Sequence, residues 1–269
     1  MALLGDRVGT ALVIGASGAI GQALTAALGG SGEFERVIGT SRSGTAGGRS
    51  GTAGDGSRAF DDEAADATGS EAVHTTIALD VADAESIAKA GRRVRELTER
   101  LDLVLFCAGM LHDPQRAIRP EKKLADIDPE ALARAFAVNA SAPLLLAQQL
   151  APLLPRQERC IWANLSARVG SIGDNQLGGW YAYRASKAAQ NMGTRTLAIE
   201  LGRRYRGLIC VALHPGTVAS GLSAPFRSAD ASGVMPPDLA ANHLLKVLGG
   251  LAREDSGQFF AWDGQQIPW

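Results

Sequence analysis

The chain has no excess of charge of either sign. Its 269 residues include 27 Lys and Arg against 28 Asp and Glu, so the formal net charge at pH 7 is −1 with histidine neutral. A protein that binds nucleic acid or an anionic membrane surface needs a clustered excess of positive charge. We therefore expect neither nucleic acid nor a membrane among its partners.

Cysteine and long apolar stretches are also scarce. The three cysteines, Cys107, Cys160 and Cys210, lie in separate short apolar runs, which is typical of buried reduced thiols and not of a disulfide framework or metal site. No segment reaches the ~18 consecutive apolar residues of a membrane span. Asp6 and Arg7 interrupt the amino terminus where a signal peptide would be apolar. We expect a cytoplasmic protein without a metal.

What the chain does have is a regular alternation of short apolar runs and amphipathic stretches. Seven runs, each bounded by turn-forming residues, are predicted to be strands: residues 10–14, 36–40, 75–79, 103–107, 159–164, 208–213 and 258–261. Because continuously apolar strands are buried on both faces, the pattern predicts an α/β fold of the Rossmann type. We expect one domain over residues 1–269, a doubly wound parallel sheet of about seven strands with helices on both faces.

Helix-starting signals lie between these runs. Asp83 and Asp128 are typical N-cap residues, and Pro129 favours the first position of a helix. They predict helices that run from Asp83 towards residue 100 and over 130–154. Two further helices are predicted over about 181–205 and 237–251.

Residues 43–72 interrupt the alternation. Gly, Ser, Thr, Ala and Asp dominate this segment, and large apolar side chains are few. Such a segment buries too little surface to offset the entropy that is lost on ordering. We expect a flexible surface insertion where a helix would normally connect two strands.

A glycine-rich turn follows the first predicted strand. The residues concerned are Gly15, Ser17, Gly18, Ala19, Ile20 and Gly21, and a helix is expected to start near Gln22. In this context glycines allow a tight turn, a close approach of the backbone to a pyrophosphate and close helix–strand packing. The helix N-terminus attracts the phosphate charge. The turn predicts dinucleotide binding, and the alternative is a tight turn in an α/β protein that binds no nucleotide.

The end of the second predicted strand bears on the choice of dinucleotide. NAD-binding sites usually carry an acidic residue here for the ribose hydroxyls, whereas this chain has Ser41, Arg42 and Ser43. A guanidinium can pair with the 2′-phosphate of NADP. We expect NADP(H) in preference to NAD(H), the alternative being that Arg42 is an ordinary solvated arginine.

Tyr183 and Lys187 are four residues apart in a predicted helix. Positions i and i+4 share a helix face, so the phenol and the ammonium are expected in one site. A nearby positive charge favours the phenolate and lowers the pKa of a tyrosine. The pair therefore predicts a general acid that protonates a carbonyl oxygen, although the same spacing also occurs by chance on surface helices.

Further short motifs follow in a recognisable order. They are Asp80-Val81, Cys107-Ala108-Gly109, Asn139 in Val-Asn-Ala, and Pro215-Gly216-Thr217. Together with the glycine turn and the Tyr183–Lys187 pair, they resemble the short-chain dehydrogenase/reductase superfamily over essentially the whole chain. Residues 170–175, 178–187 and 263–269 are most similar to its C-factor-like and sniffer-like carbonyl-reductase branch.

The resemblance implies a role for each motif. Tyr183 would protonate the carbonyl oxygen, and Lys187 would hold the nicotinamide ribose and lower the pKa of Tyr183. The amide of Asn139 would anchor a water of a proton relay. Cofactor contacts would come from Asp80, Val81, Cys107, Ala108, Gly109, Pro215, Gly216 and Thr217. Asn139 and Asp80 each have a structural alternative. Asn139 could be a buried helical asparagine bonded to a neighbouring carbonyl, and Asp80 could be a turn residue.

One position departs from the family pattern. The serine that orients the substrate carbonyl is usually second in an Asn-x-Ser-Ser step, where this chain has Ala167. An alanine side chain cannot donate a hydrogen bond. Ser166 could replace that serine if a β-bulge turned it inward, and Ser171 is the other candidate. We favour Ser166.

These observations predict an NADPH-dependent reductase of small or medium apolar ketones and aldehydes. The alternative, motivated by Ala167 and by the C-factor resemblance, is a nucleotide-binding signalling or regulatory protein with weak or no catalysis. The resemblance also implies a homodimer or homotetramer formed through the helices over 130–154 and 181–205. It further implies a mobile substrate lid over residues 219–235.

Overall fold

A computed structural model describes residues 3–45 and 72–269 of the chain. Apart from residues 43–45 and 72, the predicted insertion lies outside the described residues. That prediction, and the prediction of one domain over residues 1–269, therefore stay predictions.

A seven-stranded, wholly parallel sheet forms the centre of the molecule, with strand order β3-β2-β1-β4-β5-β6-β9. The predicted doubly wound sheet is thus confirmed. The chain moves outwards from β1 first to one side and then to the other, so a crevice opens between β1 and β4 at the carboxyl ends of the strands. The strands of the described residues, including the small pair β7–β8, are β1 (Gly9–Ile14), β2 (Phe34–Ser41), β3 (Val73–Ala78), β4 (Leu103–Phe106), β5 (Cys160–Leu165), β6 (Leu208–His214), β7 (Thr217–Val218), β8 (Val234–Met235) and β9 (Phe259–Ala261).

Helices cover both faces of the sheet. On one face lie α1 (Ala19–Gly29) and α6 (Pro237–Gly250). On the other face lie α2 (Ala84–Leu97), α4 (Ala142–Leu150) and α5 (Tyr181–Leu201). Side chains alternate along each strand, so one strand serves both layers.

Local signals fixed the starts of several helices. Asp83 accepts a hydrogen bond from the Glu85 N–H at 2.9 Å, and Asp128 accepts one from the Ala131 N–H at 2.7 Å, as expected of N-caps. Helix α1 begins at Ala19, directly after the glycine turn and earlier than the predicted start near Gln22.

The predicted helix over residues 130–154 is interrupted at its centre. It consists of α3 (Pro129–Phe136), a π-helical turn at Ala137–Ser141, and α4. Pro143 has no N–H to donate to the carbonyl of Asn139, four residues earlier, and its ring crowds that carbonyl. The wider π turn accommodates the crowding, and such turns are frequent at functional sites.

In the described part of the chain, no helix combines the length and apolar composition that a bilayer crossing requires. The three cysteines are unpaired, and Cys160 and Cys210 are buried.

Candidate active site

A cleft with a volume of about 680 Å³ lies at the carboxyl ends of the strands. It brings together most of the residues that the sequence singled out. The predicted residues in its lining are Gly15, Ser17, Gly18, Ala19, Ile20, Gly21, Arg42, Asp80, Val81, Cys107, Ala108, Gly109, Ser166, Tyr183, Lys187 and Pro215. Asn139, Gly216 and Thr217 are not part of the lining.

The glycine turn has the geometry of a phosphate cradle. Gly15 has a φ of +84°, and a Cβ there would lie 3.0 Å from the Ala108 nitrogen. A Cβ on Gly21 would overlap the Gly15 carbonyl oxygen, so helix α1 can pack this closely only on glycine. Gly18 is the N-cap of α1 and no side chain of the described residues caps that helix end. Among residues 3–45 and 72–269, no side chain accepts from the first N–H groups of α1, and Ala19, Ile20 and Gly21 line the cleft, which fits a pyrophosphate.

The end of β2 and the loop after β3 border the same cleft. Arg42 is exposed, and none of the ion pairs found among the described residues involves it. Asp80 Oδ1 accepts a hydrogen bond from the Ala82 N–H at 2.9 Å. The turn geometry expected as the alternative for Asp80 is therefore present, and it uses only one carboxylate oxygen.

Tyr183 and Lys187 are both buried in the first turns of α5, with exposed fractions of 8% and 3%. The Lys187 Nζ lies 6.0 Å from the centroid of the Tyr183 ring. It donates hydrogen bonds of 2.8 Å to the Leu165 carbonyl and of 2.8 Å to Gln190 Oε1. The predicted shared face is thus formed, and the sheet supplies one of the two acceptors.

Burial sets the protonation of this pair. It lowers the pKa of Lys187 to about 7, and it raises the pKa of Tyr183 above its ordinary value. The structure does not show the predicted lowering of the Tyr183 pKa by Lys187: burial is the cause found, and it raises that pKa. Tyr183 consequently keeps its proton at neutral pH, which is the state that a proton donor needs.

Asn139 lies fully buried in the π turn. Its Oδ1 accepts from the Met110 N–H at 2.8 Å, and its Nδ2 donates to the Met110 carbonyl and to Ser186 Oγ at 2.9 Å each. Both amide hydrogens are therefore used to join the segment after β4 to α5. Asn139 therefore has no free amide hydrogen for the water that the resemblance implies, and Pro143 cannot donate the usual α-helical bond to its backbone carbonyl.

Ser166 follows β5 and lines the cleft. Its hydroxyl donates to Asn191 Oδ1 at 2.6 Å, and Asn191 Nδ2 donates to the Gly170 carbonyl at 3.2 Å, which orients the amide. The pairing of β5 with β6 continues without a shift as far as Leu165, so the β-bulge considered for Ser166 does not form in this pair.

Ser171, the other candidate, is turned away from the cleft. It is buried, its hydroxyl donates to the Pro268 carbonyl at 2.5 Å, and it is not part of the cleft lining. Of the two serines considered for the role missing at Ala167, only Ser166 borders the cleft. The Ser166 hydroxyl proton is bound to Asn191.

Sequence analysis missed a buried polar network between β5 and α5. Trp162 Nε1 donates to Asn164 Oδ1 at 3.1 Å, and Asn164 Nδ2 donates to Thr194 Oγ1 at 2.9 Å. Thr194 Oγ1 donates in turn to the Gln190 carbonyl at 2.9 Å. The available signal was spacing, because Gln190, Asn191 and Thr194 follow Lys187 at i+3, i+4 and i+7 on one helix face.

The start of α5 is held by Glu121. This buried residue accepts from the Trp180 N–H at 2.6 Å through its carbonyl, and from the Ala182 N–H at 3.3 Å through its carboxylate. Trp180 itself has a left-handed backbone, with φ 50° and ψ 46°, which is uncommon for a residue other than glycine. These contacts fix the point from which Tyr183 projects.

Aromatic rings stand beside Tyr183. The Trp180 ring centroid lies 6.3 Å from that of Tyr183 and 5.4 Å from that of Phe226. The Phe226 centroid lies 5.8 Å from that of His112, which lines the cleft. Phe226 belongs to the predicted lid, so this part of the lid contacts side chains at the edge of the site.

The chain is similar to a protein-family model and to several known proteins. A family model described as enoyl-(acyl carrier protein) reductase matches residues 51–250. The C-signal of Myxococcus xanthus is 38% identical over 146 residues, 54% of this chain and 83% of that protein. The 1-hydroxy-2-glutathionyl-2-methyl-3-butene dehydrogenase of Rhodococcus sp. is 32% identical over 191 residues, 71% of this chain and 78% of that protein.

A solved structure is similar over almost the whole chain. The NADPH-bound carbonyl reductase from chicken fatty liver is 28% identical, covers 98% of this chain and 100% of its own, and superposes with a TM-score of 0.74. These matches confirm the resemblance that the sequence motifs indicated. The chain therefore belongs to the short-chain dehydrogenase/reductase superfamily of NAD(P)-dependent oxidoreductases.

Proposed function

We propose that this protein is an NADPH-dependent reductase of small or medium apolar ketones and aldehydes, or the corresponding alcohol dehydrogenase in reverse. The observation that carries the proposal is the buried Tyr183–Lys187 pair in the same cleft as the glycine turn. A proton donor and a dinucleotide site in one cleft allow proton and hydride to reach the two ends of a carbonyl group together.

In the proposed reaction, Tyr183, Lys187 and Asn139 have separate roles. When bound, the nicotinamide supplies the hydride to the carbonyl carbon. Tyr183 donates its phenol proton to the carbonyl oxygen, which gives the alcohol. Lys187 holds the ribose and passes a proton back to Tyr183, and a water on the Asn139 carbonyl refills Lys187.

Arg42 supports NADP(H) as the cofactor. It lies at the cleft with no carboxylate partner among the described residues, and Ser41 and Ser43 flank it. The chicken carbonyl reductase, which is similar over the whole chain, was crystallised with NADPH. A guanidinium at this position can bind the 2′-phosphate that distinguishes NADPH from NADH.

The experiment for the reaction is NADPH consumption by the purified protein over a panel of aldehydes, ketones and quinones. Tyr183→Phe removes only the hydroxyl, so we expect kcat to fall by ~100-fold or more with NADPH affinity unchanged. Equal turnover by the wild type and the variant would contradict the proposed role of Tyr183.

The experiment for the cofactor is titration of the wild type and Arg42→Asp with NADPH and NADH. The carboxylate would repel the 2′-phosphate, so we expect the preference for NADPH to fall by on the order of 100-fold. Equal dissociation constants of the wild type for NADPH and NADH would refute the proposed cofactor.

A second candidate is a nucleotide-binding signalling protein with weak or no catalysis. Ala167 favours it, because the hydroxyl of the neighbouring Ser166 is already donated to Asn191. The name of the Myxococcus relative, C-signal, also supports a signalling role. NADPH binding without turnover of any carbonyl in the panel would favour this candidate over the reductase.

We also propose a homodimer or homotetramer. Helices α4 and α5 expose apolar side chains that a second copy could cover: Leu144, Leu145, Met192 and Ile199. Light scattering tests this, and a monomeric mass at micromolar concentration would contradict it.

A further inference from the structure

Gln190 is a buried polar side chain of the site to which the proposed reaction gives no role. It lies one turn after Lys187 on α5 and is 1% exposed. Its Oε1 accepts a hydrogen bond of 2.8 Å from Lys187 Nζ. Lys187 is the donor in this contact, so the amide oxygen of Gln190 faces the lysine and the amide nitrogen points away from it.

The burial of the amide nitrogen of Gln190 is energetically unfavourable. Within the described residues, the buried Nε2 of Gln190 has no hydrogen-bond partner. A buried donor without a partner destabilises the folded state, and an apolar side chain of similar size would avoid that cost. What Gln190 contributes is therefore its contact with Lys187, not stability.

We propose that Gln190 is a positioning residue of the Tyr183–Lys187 pair: its Oε1 and the Leu165 carbonyl hold the Lys187 head group in place beside the cleft and stabilise its charged form. For its effect on turnover the proposal rests on the proposed function. The contact with Lys187 can be tested without turnover.

The surroundings of Lys187 explain why an uncharged acceptor matters. Burial lowers the pKa of Lys187 to about 7, and among the described residues Cys107 is the one titratable group found to act against that shift. Burial raises the pKa of the Cys107 thiol to about 12, so that thiol is neutral at physiological pH. Tyr183, on the same helix, is also neutral. An amide oxygen stabilises the ammonium less than a carboxylate would, so Lys187 can still exchange its proton near neutral pH.

The test is the pH at which Lys187 becomes reactive. Competitive labelling with acetic anhydride in the absence of nucleotide, followed by peptide mass spectrometry, gives the midpoint for this lysine alone. We expect the midpoint to fall by about one pH unit in Gln190→Met and in Gln190→Leu, which lack the amide oxygen. It should rise in Gln190→Glu, whose carboxylate favours the ammonium more strongly.

The control is Thr194→Val, one turn further along the same buried face. It removes the acceptor of Asn164 but leaves both acceptors of Lys187 in place. We expect a lower unfolding temperature and an unchanged labelling midpoint. The Gln190→Met and Gln190→Leu variants should show the reverse, an unfolding temperature that is unchanged or higher and a shifted midpoint.

Turnover supplies a second readout. If the protein is a reductase, the pH dependence of kcat should move with the labelling midpoint, and the KM for the carbonyl should change less than kcat. An unchanged midpoint in a folded Gln190→Met or Gln190→Leu variant would overturn the proposal. So would an equal shift in Thr194→Val. If the wild type reduces no carbonyl, the proposed function fails, while the labelling midpoints still decide the role of Gln190.

Discussion

The two helical layers that cover the sheet differ in what they bury. Under α1 and α6 the sheet is covered by apolar side chains, including Leu24, Leu28, Leu244 and Leu248. At the carboxyl-terminal part of β5, helix α5 instead buries a network of polar side chains. The network connects Trp162, Asn164, Thr194 and Gln190, and Gln190 contacts Lys187. Strand β5 belongs to both layers, since Ile161 and Ala163 face the apolar side.

The apolar contacts under α1 and α6 contribute mainly to stability, whereas the polar network under α5 positions the side chains of the site. Apolar contacts stabilise roughly in proportion to the buried area and have no preferred direction, so their main contribution under α1 and α6 is to stability. Hydrogen bonds need specific distances and angles, and an unpaired buried group is costly. The polar network at the end of β5 therefore fixes how far along the sheet α5 lies, and with it the positions of Tyr183 and Lys187.

The largest expected effect is on the pH dependence of stability. Burial lowers the pKa of Lys187 from 10.5 to about 7, so between these pH values the unfolded chain binds a proton that the folded chain does not. Stability should therefore rise with pH across this range. Lys187→Met removes this dependence. The wild type should therefore gain stability relative to the variant as the pH rises. From below pH 7 to above pH 10, the difference between their free energies of unfolding should change in favour of the wild type by on the order of 4 kcal/mol. Urea unfolding over that range measures it, and a difference that stays flat would show that Lys187 is not desolvated.

A large cavity in the apolar layer should affect stability alone. Leu248 is fully buried in α6, and Leu248→Ala should lower the free energy of unfolding by ~2–5 kcal/mol. NADPH affinity should not change. Leu239→Ala, at an exposed position of the same helix, is the control and should change stability by less than about 0.5 kcal/mol. A loss of NADPH affinity in folded Leu248→Ala would contradict the separation of the two layers.

A polar-to-apolar change in the other layer should affect both properties. Asn164→Leu leaves the Trp162 Nε1–H without its acceptor, which should cost ~1–3 kcal/mol. Because the change also loosens the link to α5, kcat should fall more than NADPH affinity. Ile161→Val on the opposite face of the same strand is the matched control, with a cost of about 1 kcal/mol and an unchanged kcat. Equal kinetics of both variants would mean that the network does not position α5.

The smallest expected effect is a gain of function. Ala167 has extended backbone angles, φ −145° and ψ 147°, that a serine also adopts. In the proposed reductase, Ala167→Ser supplies the hydroxyl donor that the family pattern has there, so we expect kcat to rise about 10-fold or more. Ser166→Ala is the companion variant. If Ser166→Ala abolishes turnover while Ala167→Ser changes nothing, Ser166 already orients the substrate carbonyl.

Local patterns explain what could be predicted. The strands, the caps at Asp83 and Asp128, the glycine turn and the shared face of Tyr183 and Lys187 depend on residues that are close in sequence, and each was found where expected. The predicted helix over residues 130–154 is wrong at its centre, where Pro143 has no N–H for the carbonyl of Asn139 and a π turn forms. The signal was present in the sequence, since proline has no N–H to donate.

The sequence by itself determined the order of elements, the family and the residue types at the site, because periodicity, capping and motif spacing act over a few residues. Only the tertiary structure decided which of these groups are available for chemistry. The hydroxyl of Ser171 is bound by Pro268, 97 residues away, and that of Ser166 by Asn191, 25 residues away. The protonation of Tyr183 and Lys187 depends on how deeply the fold buries them. Burial and long-range hydrogen bonds are properties of the packed chain, because they join segments whose separation in sequence carries no local signal.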